Sequence, residues 1–260
     1  MKYVATISFG KDSTVMVDLL LKNNYPVDYI IFNDTLDEYQ EMYEYKEKVA
    51  KYFKDRYNKD ITVTKPKKSY EDYIFHRKTK GEMIGKMIGL PNPTNQFCEW
   101  RGISKRDATE KFLKDNGIAN YKLYIGFTLD ETNRVNRGDS KFLYPLIDDF
   151  KMTERNCQEY LANQEMENPL YKHFSRTGCA KCQFKSDRDW FMTWKHHPNE
   201  WDKLKDLESR VNKEENVFSK NIFSNFRSCL DMEIKFELAD KQGSLFDFSD
   251  EPLKDCFCKI

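Results

Sequence analysis

Short, continuous apolar segments alternate with longer charged segments of helical spacing through the first half of the chain. Apolar runs without polar alternation are typical of parallel strands that are buried on both faces, and such strands need helical crossovers between them. The predicted strands are residues 3–7, 27–32, 61–64 and 122–127, and the helices between them include residues 38–57 and 105–116. This pattern predicts an α/β fold, a doubly wound parallel sheet that binds its ligand beyond the carboxyl ends of the strands.

The second half of the chain has a different pattern. After Tyr144-Pro145-Leu146 the strand pattern fades, and charged segments of helical spacing follow at residues 153–163, 187–194 and 198–211. We therefore predict an α/β domain over residues 1–150. A smaller, mostly helical extension over residues 151–260 carries a C-x-x-C sequence and a C-terminal tail that contains cysteines.

Composition narrows the classes of function. Lys plus Arg and Asp plus Glu each number 43, so the formal net charge is zero, which argues against nucleic-acid binding through bulk charge. The apolar runs are far shorter than the roughly 18 residues that span a bilayer, and the N-terminal MKYVATISFG lacks the apolar segment of a secretory signal. We expect a cytoplasmic protein with no membrane partner, whose seven cysteines are reduced, metal-bound or catalytic.

The sequence S-F-G-K-D-S-T at residues 8–14 stands between the first predicted strand and the first helix. Gly10 permits close approach of a ligand to the backbone, and Lys11 supplies a cation. The N–H groups at the start of the helix come from Asp12, Ser13 and Thr14. The spacing is not that of a Walker A loop. A polar turn capped by Ser8 or Ser13 is the alternative, but it does not account for Gly and Lys together, so this sequence predicts a phosphate-binding loop.

The loop resembles the S-G-G-K-D-S pyrophosphate loop of the adenine nucleotide alpha hydrolase superfamily, whose fold is HUP-like. Further segments are similar, in order, to its phosphoadenosine phosphosulfate (PAPS) reductase-like family. They are F-N-D-T-L-D-E at 32–38, C-E-W-R at 98–101, I-G at 125–126, Y-P-L at 144–146, N-P-L-Y at 168–171 and R-T-G-C at 176–179. K-S-D-R-D-W at 185–190 resembles a segment of phage-borne members and of DndC-like DNA phosphorothioation proteins.

The resemblance implies the residues of a nucleotide site. The phosphates would be held by Ser8, Gly10, Lys11, Asp12, Ser13 and Thr14, and the adenosine would lie near Asn33, Asp34 and Thr35. Arg134 would line the anionic pocket. The sequence departs from the pattern at Phe9, where hydrolase-type members usually carry Gly, and at Leu36, where Gly is usual. Phe at the position of Phe9 also appears in true PAPS reductases, but those generally lack the Lys-Asp pair that follows here. The retained pair Lys11 and Asp12, expected to be catalytic, favours ATP as the ligand, because Lys11 would offset charge on a leaving pyrophosphate.

The C-x-x-C sequence at Cys179 and Cys182 is by itself compatible with zinc, an iron–sulfur cluster or a redox dithiol. The spacing from Cys98 resembles that of cluster-bearing sulfonucleotide reductases, which implies a [4Fe–4S] cluster here, with zinc as the alternative. The fourth ligand would then be Cys258 or Cys256. Cys256 is also the counterpart of a C-terminal catalytic cysteine in these reductases, although the Gly and His that follow it there are missing. Cys157 and Cys229 are expected to be ordinary helix residues.

Together these resemblances imply an enzyme that binds ATP or a related adenine nucleotide with Mg²⁺ and cleaves it between the α and β phosphates. The adenylated substrate would receive sulfur from a donor protein, and nucleic acid is one acceptor class. A sulfonucleotide reductase, in which Cys256 attacks the sulfur of an adenylyl sulfate, is the first alternative. The second is a regulatory or counter-defence protein that binds the nucleotide without turnover.

Overall fold

The central element of the computed structural model is a parallel five-stranded sheet in the order β3-β2-β1-β5-β6. The structure describes residues 1–92, 97–223 and 227–242. In chain order, the strands of these residues are β1 (Lys2–Ile7), β2 (Tyr29–Asn33), β3 (Ile61–Thr64), β4 (Met87–Gly89), β5 (Tyr121–Tyr124), β6 (Phe142–Leu143) and β7 (Val217–Ser219). In register, Ala5 pairs with Ile30 on one side and with Tyr124 on the other.

Helices connect the strands and form most of the second half of the chain. In the described residues they are α1 (Lys11–Lys22), α2 (Gln40–Tyr57), α3 (Tyr70–Ile74), α4 (Glu99–Arg101), α5 (Asp107–Asp115), α6 (Pro145–Asp148), α7 (Glu154–Ala162), α8 (Asp187–His196), α9 (Pro198–Asn212) and α10 (Cys229–Gln242). A π-helix (Gly102–Arg106) precedes α5, and 3₁₀-helices span Leu129–Arg134 and Pro169–Lys172. Within the part of the chain that the structure describes, no helix is both long and apolar enough to cross a membrane.

Local sequence sets several helix ends. The Thr153 side chain accepts a hydrogen bond from the Asn156 N–H at the start of α7, and Ser186 accepts one from the Asp189 N–H at the start of α8. Such caps satisfy backbone donors that have no partner within the helix. Asn58 ends α2 in the left-handed conformation, with φ of +51°, which Asn adopts more readily than most residues.

Both faces of the sheet are covered. Ile30, Ile31 and Phe32 are consecutive in β2 and all are buried, which requires packing on both sides of the strand. On one face, Ile31 belongs to a hydrophobic cluster with Val4 of β1 and Leu113 of α5. Each such side chain contributes about 1.5–3 kcal/mol by burial. The predicted α/β fold with a parallel sheet is confirmed.

The chain divides into two compact units, each built from separate stretches. The first contains residues Met1–Pro66 and Arg101–Lys172, and therefore the whole parallel sheet. The described part of the second contains residues 67–92, 97–100, 173–223 and 227–242. The predicted domain boundary near residue 150 stays a prediction, because compact units do not have to coincide with domains.

The second unit has an aromatic core between its helices. The Trp190 ring of α8 lies 5.1 Å from Phe223, and Trp201 of α9 lies 5.6 Å from Phe236 of α10. The helices predicted at 187–194 and 198–211 are present as α8 and α9. This unit also contains a small parallel sheet of β4 and β7, although the sequence gives little strand signal there.

Candidate functional site

The loop of residues 8–10 joins β1 to α1 at the point where the order of the sheet reverses. β1 has β2 on one side and β5 on the other, so the crossovers leave it in opposite directions. Gly126 follows β5, and a Cβ atom there would lie 3.1 Å from the Cα atom of Ser13. The ends of β1 and β5 therefore both meet the first turn of α1. In doubly wound sheets this crevice is the usual ligand site.

Hydroxyl groups close the loop on itself. The Ser8 N–H donates to Ser13 Oγ at 3.1 Å, and Ser13 Oγ donates to the Gly10 carbonyl at 3.2 Å. Thr14 Oγ1 donates to the same carbonyl at 3.0 Å. Gly10 is the N-cap of α1 and no side chain caps this helix, so neither Ser8 nor Ser13 acts as its cap, while phosphate binding by the loop stays a prediction.

Phe9 and Leu36 both have a left-handed backbone conformation, which glycine adopts at the least cost. Their φ angles are +58° and +59°. The two side chains differ in surroundings: Phe9 is buried with its ring 4.8 Å from that of Phe32, whereas Leu36 is exposed. We infer that packing of Phe9 offsets the cost of a left-handed non-glycine residue, which is roughly 1–2 kcal/mol.

Lys11 is fixed at both its backbone and its side chain. Its N–H donates to Tyr171 Oη at 2.9 Å, and its Nζ lies 2.7 Å from Glu154 Oε2 and 5.4 Å from the Tyr171 ring centre. Burial alone would lower the pKa of Lys11, but Tyr171, Glu154 and Asp12 hold this pKa above its ordinary value. The side chain therefore carries a full positive charge at the N-terminus of α1.

Three carboxylates converge beside Lys11. Asp12, Glu131 and Glu154 each offer an oxygen atom, and these atoms lie within 4.8 Å of one another. Carboxylate oxygens are the ligands that Mg²⁺ prefers, so the donor set fits the predicted ion. The sequence did not single out Glu154, which is 143 residues from Lys11 and belongs to no local motif.

The residues after β2 form a strand-end turn. Asp34 Oδ1 accepts hydrogen bonds from the Leu36 N–H at 2.9 Å and from Tyr43 Oη at 2.8 Å. Burial and then Asp34 itself raise the pKa of Tyr43, so its hydroxyl stays a donor. Thr35 Oγ1 donates to Glu38 at 2.8 Å. These contacts shape the turn, and a role for Asp34 and Thr35 near adenosine stays a prediction.

Asn33 connects β2 to two neighbouring elements. Its Oδ1 accepts hydrogen bonds from Thr64 Oγ1 of β3 at 2.5 Å and from Thr109 Oγ1 of α5 at 2.9 Å. The side-chain oxygen is thus engaged within the protein. Asn33 supports the edge of the crevice, and its predicted contact with adenosine is not tested by these bonds.

Two arginines near the crevice pair with carboxylates. Arg134 forms an ion pair with Glu131, and its guanidinium lies 4.7 Å from the Phe127 ring centre. Arg134 therefore reaches the acidic group, and direct contact with a phosphate stays a prediction. Arg137 makes two exposed bonds to Asp148, at 2.8 and 2.7 Å, and so pairs with a surface carboxylate.

The model of the phosphoadenosine phosphosulfate reductase domain matches residues 2–185 of the chain. The chain belongs to this family. The matched range includes the loop at residues 8–14 and the three converging carboxylates, as well as Cys98, Cys179 and Cys182. Cys256 and Cys258 lie beyond it.

One solved structure similar to this member of the PAPS reductase domain family is the phosphoadenylyl-sulfate (PAPS) reductase from Candida auris, in a phosphate complex. It is 18% identical, and the match covers 69% of this chain and 81% of that chain with a TM-score of 0.47. No curated protein sequence matches the chain significantly.

The C-x-x-C sequence of this family member forms two successive turns in the second unit. The Cys182 N–H donates to the Cys179 carbonyl at 3.2 Å, and the Lys185 N–H donates to the Cys182 carbonyl at 3.2 Å. Cys98 precedes α4 in the same unit, and all three cysteines are partly buried. In the described ranges, the potential metal ligands that converge are the three carboxylates, and no cysteine is among them.

Two buried lysines support these turns. Lys185 Nζ donates to the Ala180 carbonyl at 2.8 Å and to Thr193 Oγ1 at 2.9 Å, and Lys181 Nζ lies 3.4 Å from Glu200. The cluster or zinc site stays a prediction. Cys256 and Cys258, its predicted tail residues, lie outside the described residues.

The two cysteines set aside from the site are both buried in helices. Cys157 lies within α7, and Cys229 is the first residue of α10. Burial and the neighbouring Glu208 carboxylate raise the pKa of the Cys229 thiol, so it stays protonated at neutral pH. Both observations agree with ordinary packing roles.

Proposed function

We propose that the chain binds ATP or a related adenine nucleotide at residues 8–14 and cleaves it between the α and β phosphates. The observation that carries this proposal is the charged Lys11 at the start of α1, beside three convergent carboxylates. A phosphate needs cations and helix N–H groups, and the switch point of the sheet supplies both. Membership of the PAPS reductase domain family supports a nucleotide as the ligand.

The proposed reaction is an adenylyl transfer. An acceptor nucleophile attacks the α-phosphorus, the bond from that phosphorus to the bridging oxygen breaks, and pyrophosphate leaves with the electron pair. Lys11 and the N-terminus of α1 would offset the negative charge that develops on pyrophosphate. Asp12, Glu131 and Glu154 would hold Mg²⁺, which when bound would neutralise phosphate charge.

A sulfur-transfer step would follow adenylation. Cys98, Cys179 and Cys182, with Cys258 or Cys256 as the fourth ligand, would hold a [4Fe–4S] cluster, or zinc in the alternative. A sulfur nucleophile, which the cluster when bound would position, would attack the adenylated atom of the acceptor, and AMP would leave with the electron pair of the broken bond. A donor protein would provide sulfur, and the resemblance to phage-type and DndC-like members favours a nucleic-acid acceptor.

The second candidate is a sulfonucleotide reductase, which the family match itself favours. The Cys256 thiolate would attack the sulfur of an adenylyl sulfate, and the sulfur–oxygen bond to phosphate would break with release of the adenine nucleotide. A thiol reductant would then attack the sulfocysteine and release sulfite. The two candidates differ in substrate: one consumes ATP and the other consumes an adenylyl sulfate.

Product analysis separates these functions. Protein purified without oxygen is incubated with ATP and Mg²⁺, or with adenylyl sulfate or its 3′-phosphorylated form and a thiol reductant. We expect pyrophosphate from ATP, together with AMP when water takes the place of the acceptor. Sulfite instead identifies the reductase, and tight binding without product from either substrate favours a non-catalytic protein.

Two matched lysine variants test whether the loop at residues 8–14 is needed for turnover. Lys11→Ala should reduce turnover at least about 100-fold, whereas Lys51→Ala, which changes an exposed lysine of α2 paired with Asp55, should not change it. Equal rates for wild type and Lys11→Ala would contradict the assignment of the loop.

A further inference from the structure

The crevice concentrates negative charge where the loop would hold a polyphosphate. Asp12, Glu131 and Glu154 have carboxylate oxygens within 4.8 Å of one another. Asp130 adds a fourth carboxylate nearby, because its Oδ2 accepts the Glu154 N–H at 2.7 Å. A polyanion that enters without a cation is therefore repelled by several like charges in a partly buried site.

Lys11, the cation of the loop, is already engaged by one of these carboxylates. Its Nζ lies 2.7 Å from Glu154 Oε2 in the ligand-free protein. The Lys11 side chain is only 13% exposed, so there is little space for its ammonium group to contact Glu154 and a phosphate at the same time. Glu154 is therefore paired with the ammonium group that a phosphate oxygen would otherwise contact.

Glu154 is the member of the group that can move most easily. Its side chain is 42% exposed, whereas that of Glu131 is 10% exposed and forms an ion pair with Arg134. The Glu131 carboxylate also accepts the Thr128 N–H at 3.4 Å. Rotation of the Glu154 side chain leaves the start of α7 intact, because the Glu154 backbone N–H is held by Asp130.

We propose that Glu154 makes nucleotide binding depend on a divalent cation. Without the cation, Glu154 stays on Lys11 and competes with phosphate. Asp12, Glu131 and Glu154 would together hold the cation, and Lys11, no longer paired with Glu154, would bind the phosphate. This inference rests on the proposed function and deepens it, because it assigns Glu154 as the residue that selects the cation-bound nucleotide.

Thermodynamic linkage relates the binding of the cation to the binding of the nucleotide. If the cation tightens nucleotide binding by some factor, the nucleotide must tighten cation binding by the same factor. Removal of the Glu154 charge ends the competition for Lys11 and also removes a cation ligand. Both effects reduce the factor, but only the end of the competition tightens nucleotide binding without a cation, and this gain separates the device from the general preference of polyphosphates for Mg²⁺.

The test measures binding instead of turnover. The probe is α,β-methylene-ATP, whose bridge between the α and β phosphates resists cleavage, titrated calorimetrically with EDTA or with Mg²⁺. Binding of Mn²⁺ is followed separately by electron paramagnetic resonance, with and without the probe. The variant is Glu154→Gln, and the control is Glu159→Gln, which removes a carboxylate of the same helix whose partner is the exposed Arg155.

We expect the cation to tighten probe binding at least about 10-fold in wild type and in Glu159→Gln. In Glu154→Gln the ratio should fall to about twofold or less, mainly because binding in EDTA becomes tighter, and Mn²⁺ affinity should fall. A ratio in folded Glu154→Gln equal to that of wild type, or a lower ratio without tighter binding in EDTA, overturns the inference and leaves the proposed function standing. If the cation does not change probe binding to wild type, the inference is likewise overturned and the proposed function stands. Absence of probe binding to wild type in both conditions overturns the proposed function as well.

Discussion

The side-chain amide of Asn168 donates a hydrogen bond to the Phe9 carbonyl at 2.9 Å, across 159 residues of sequence. Three residues later, Tyr171 Oη accepts the N–H of Lys11. One short segment therefore holds both sides of Gly10. Because Phe9 has a left-handed backbone, its carbonyl points where an ordinary loop residue would not place it, and Asn168 satisfies that buried acceptor.

Replacement of Asn168 by Ala should therefore loosen the loop. The variant leaves the Phe9 carbonyl without this donor and also removes the bond from the Leu170 N–H to Asn168 Oδ1. We expect the free energy of unfolding to fall by about 1–3 kcal/mol and nucleotide affinity to fall with it. Urea denaturation measures the first and calorimetric titration the second. The control Asn116→Ala removes an exposed bond to Phe112 and should change stability by less than about 1 kcal/mol.

Gly89 is required by the small parallel sheet of β4 and β7. A Cβ atom at this position would lie 2.0 Å from the Ser219 carbonyl oxygen, and the φ of Gly89 is +75°. Gly89→Ala should therefore lower the free energy of unfolding by about 3 kcal/mol or more, from both overlap and backbone strain. Gly85→Ala separates the two causes, because Gly85 has φ of +77° with open space around it. A similar loss in both variants, measured by urea denaturation, would contradict the close approach of the strands.

The strands could be predicted where a short stretch of sequence by itself determines the local structure. β2 was predicted because a continuous apolar run is typical of a strand that is covered on both faces. β4 and β7 were not, because each has three residues and their pairing depends on the absence of a side chain at Gly89. Such a contact between distant segments leaves no periodic pattern in either segment.

In the candidate site, residues that are contiguous in sequence could be predicted, whereas contacts between distant segments could not. The loop at residues 8–14 is contiguous, so Gly10 and Lys11 were recognisable at once. Asn168 fell within a recognised family segment, but its bond to Phe9 could not be inferred from spacing. Glu154 was missed, because its significance arises only when α7 packs beside α1 and brings its carboxylate to Lys11.

Acidification should weaken the second unit through a pair of histidines. The rings of His173 and His196 stack at 4.0 Å, and burial, His173 and Lys195 lower the pKa of His196, which the nearby Asp240 partly opposes. The folded state thus disfavours the protonated ring. Its stability is unaffected well above pH 6.5 and decreases as the pH falls below that value, where the unfolded chain takes up the proton more readily.

Thermal unfolding of wild type and of His196→Gln between pH 7.5 and 5.5 measures this effect. We expect the loss of stability over that range to be smaller in His196→Gln than in wild type, whereas His76→Gln should follow wild type. If His196→Gln loses as much stability as wild type, the stacked pair has no part in the pH dependence.

The cysteines make a direct prediction about metal content. If Cys98, Cys179 and Cys182 hold a [4Fe–4S] cluster, protein purified without oxygen should contain about four irons and four sulfides per chain. Cys179→Ser should lose them, because a hydroxyl is a poor ligand for a cluster, while Cys157→Ala should keep them, since Cys157 is buried within α7. Iron and acid-labile sulfide assays with a visible spectrum provide the measurement. Zinc in place of iron would make the site structural, and protein without either metal would leave the cysteines to act as redox thiols, with Cys256 as the first to test by Cys256→Ser.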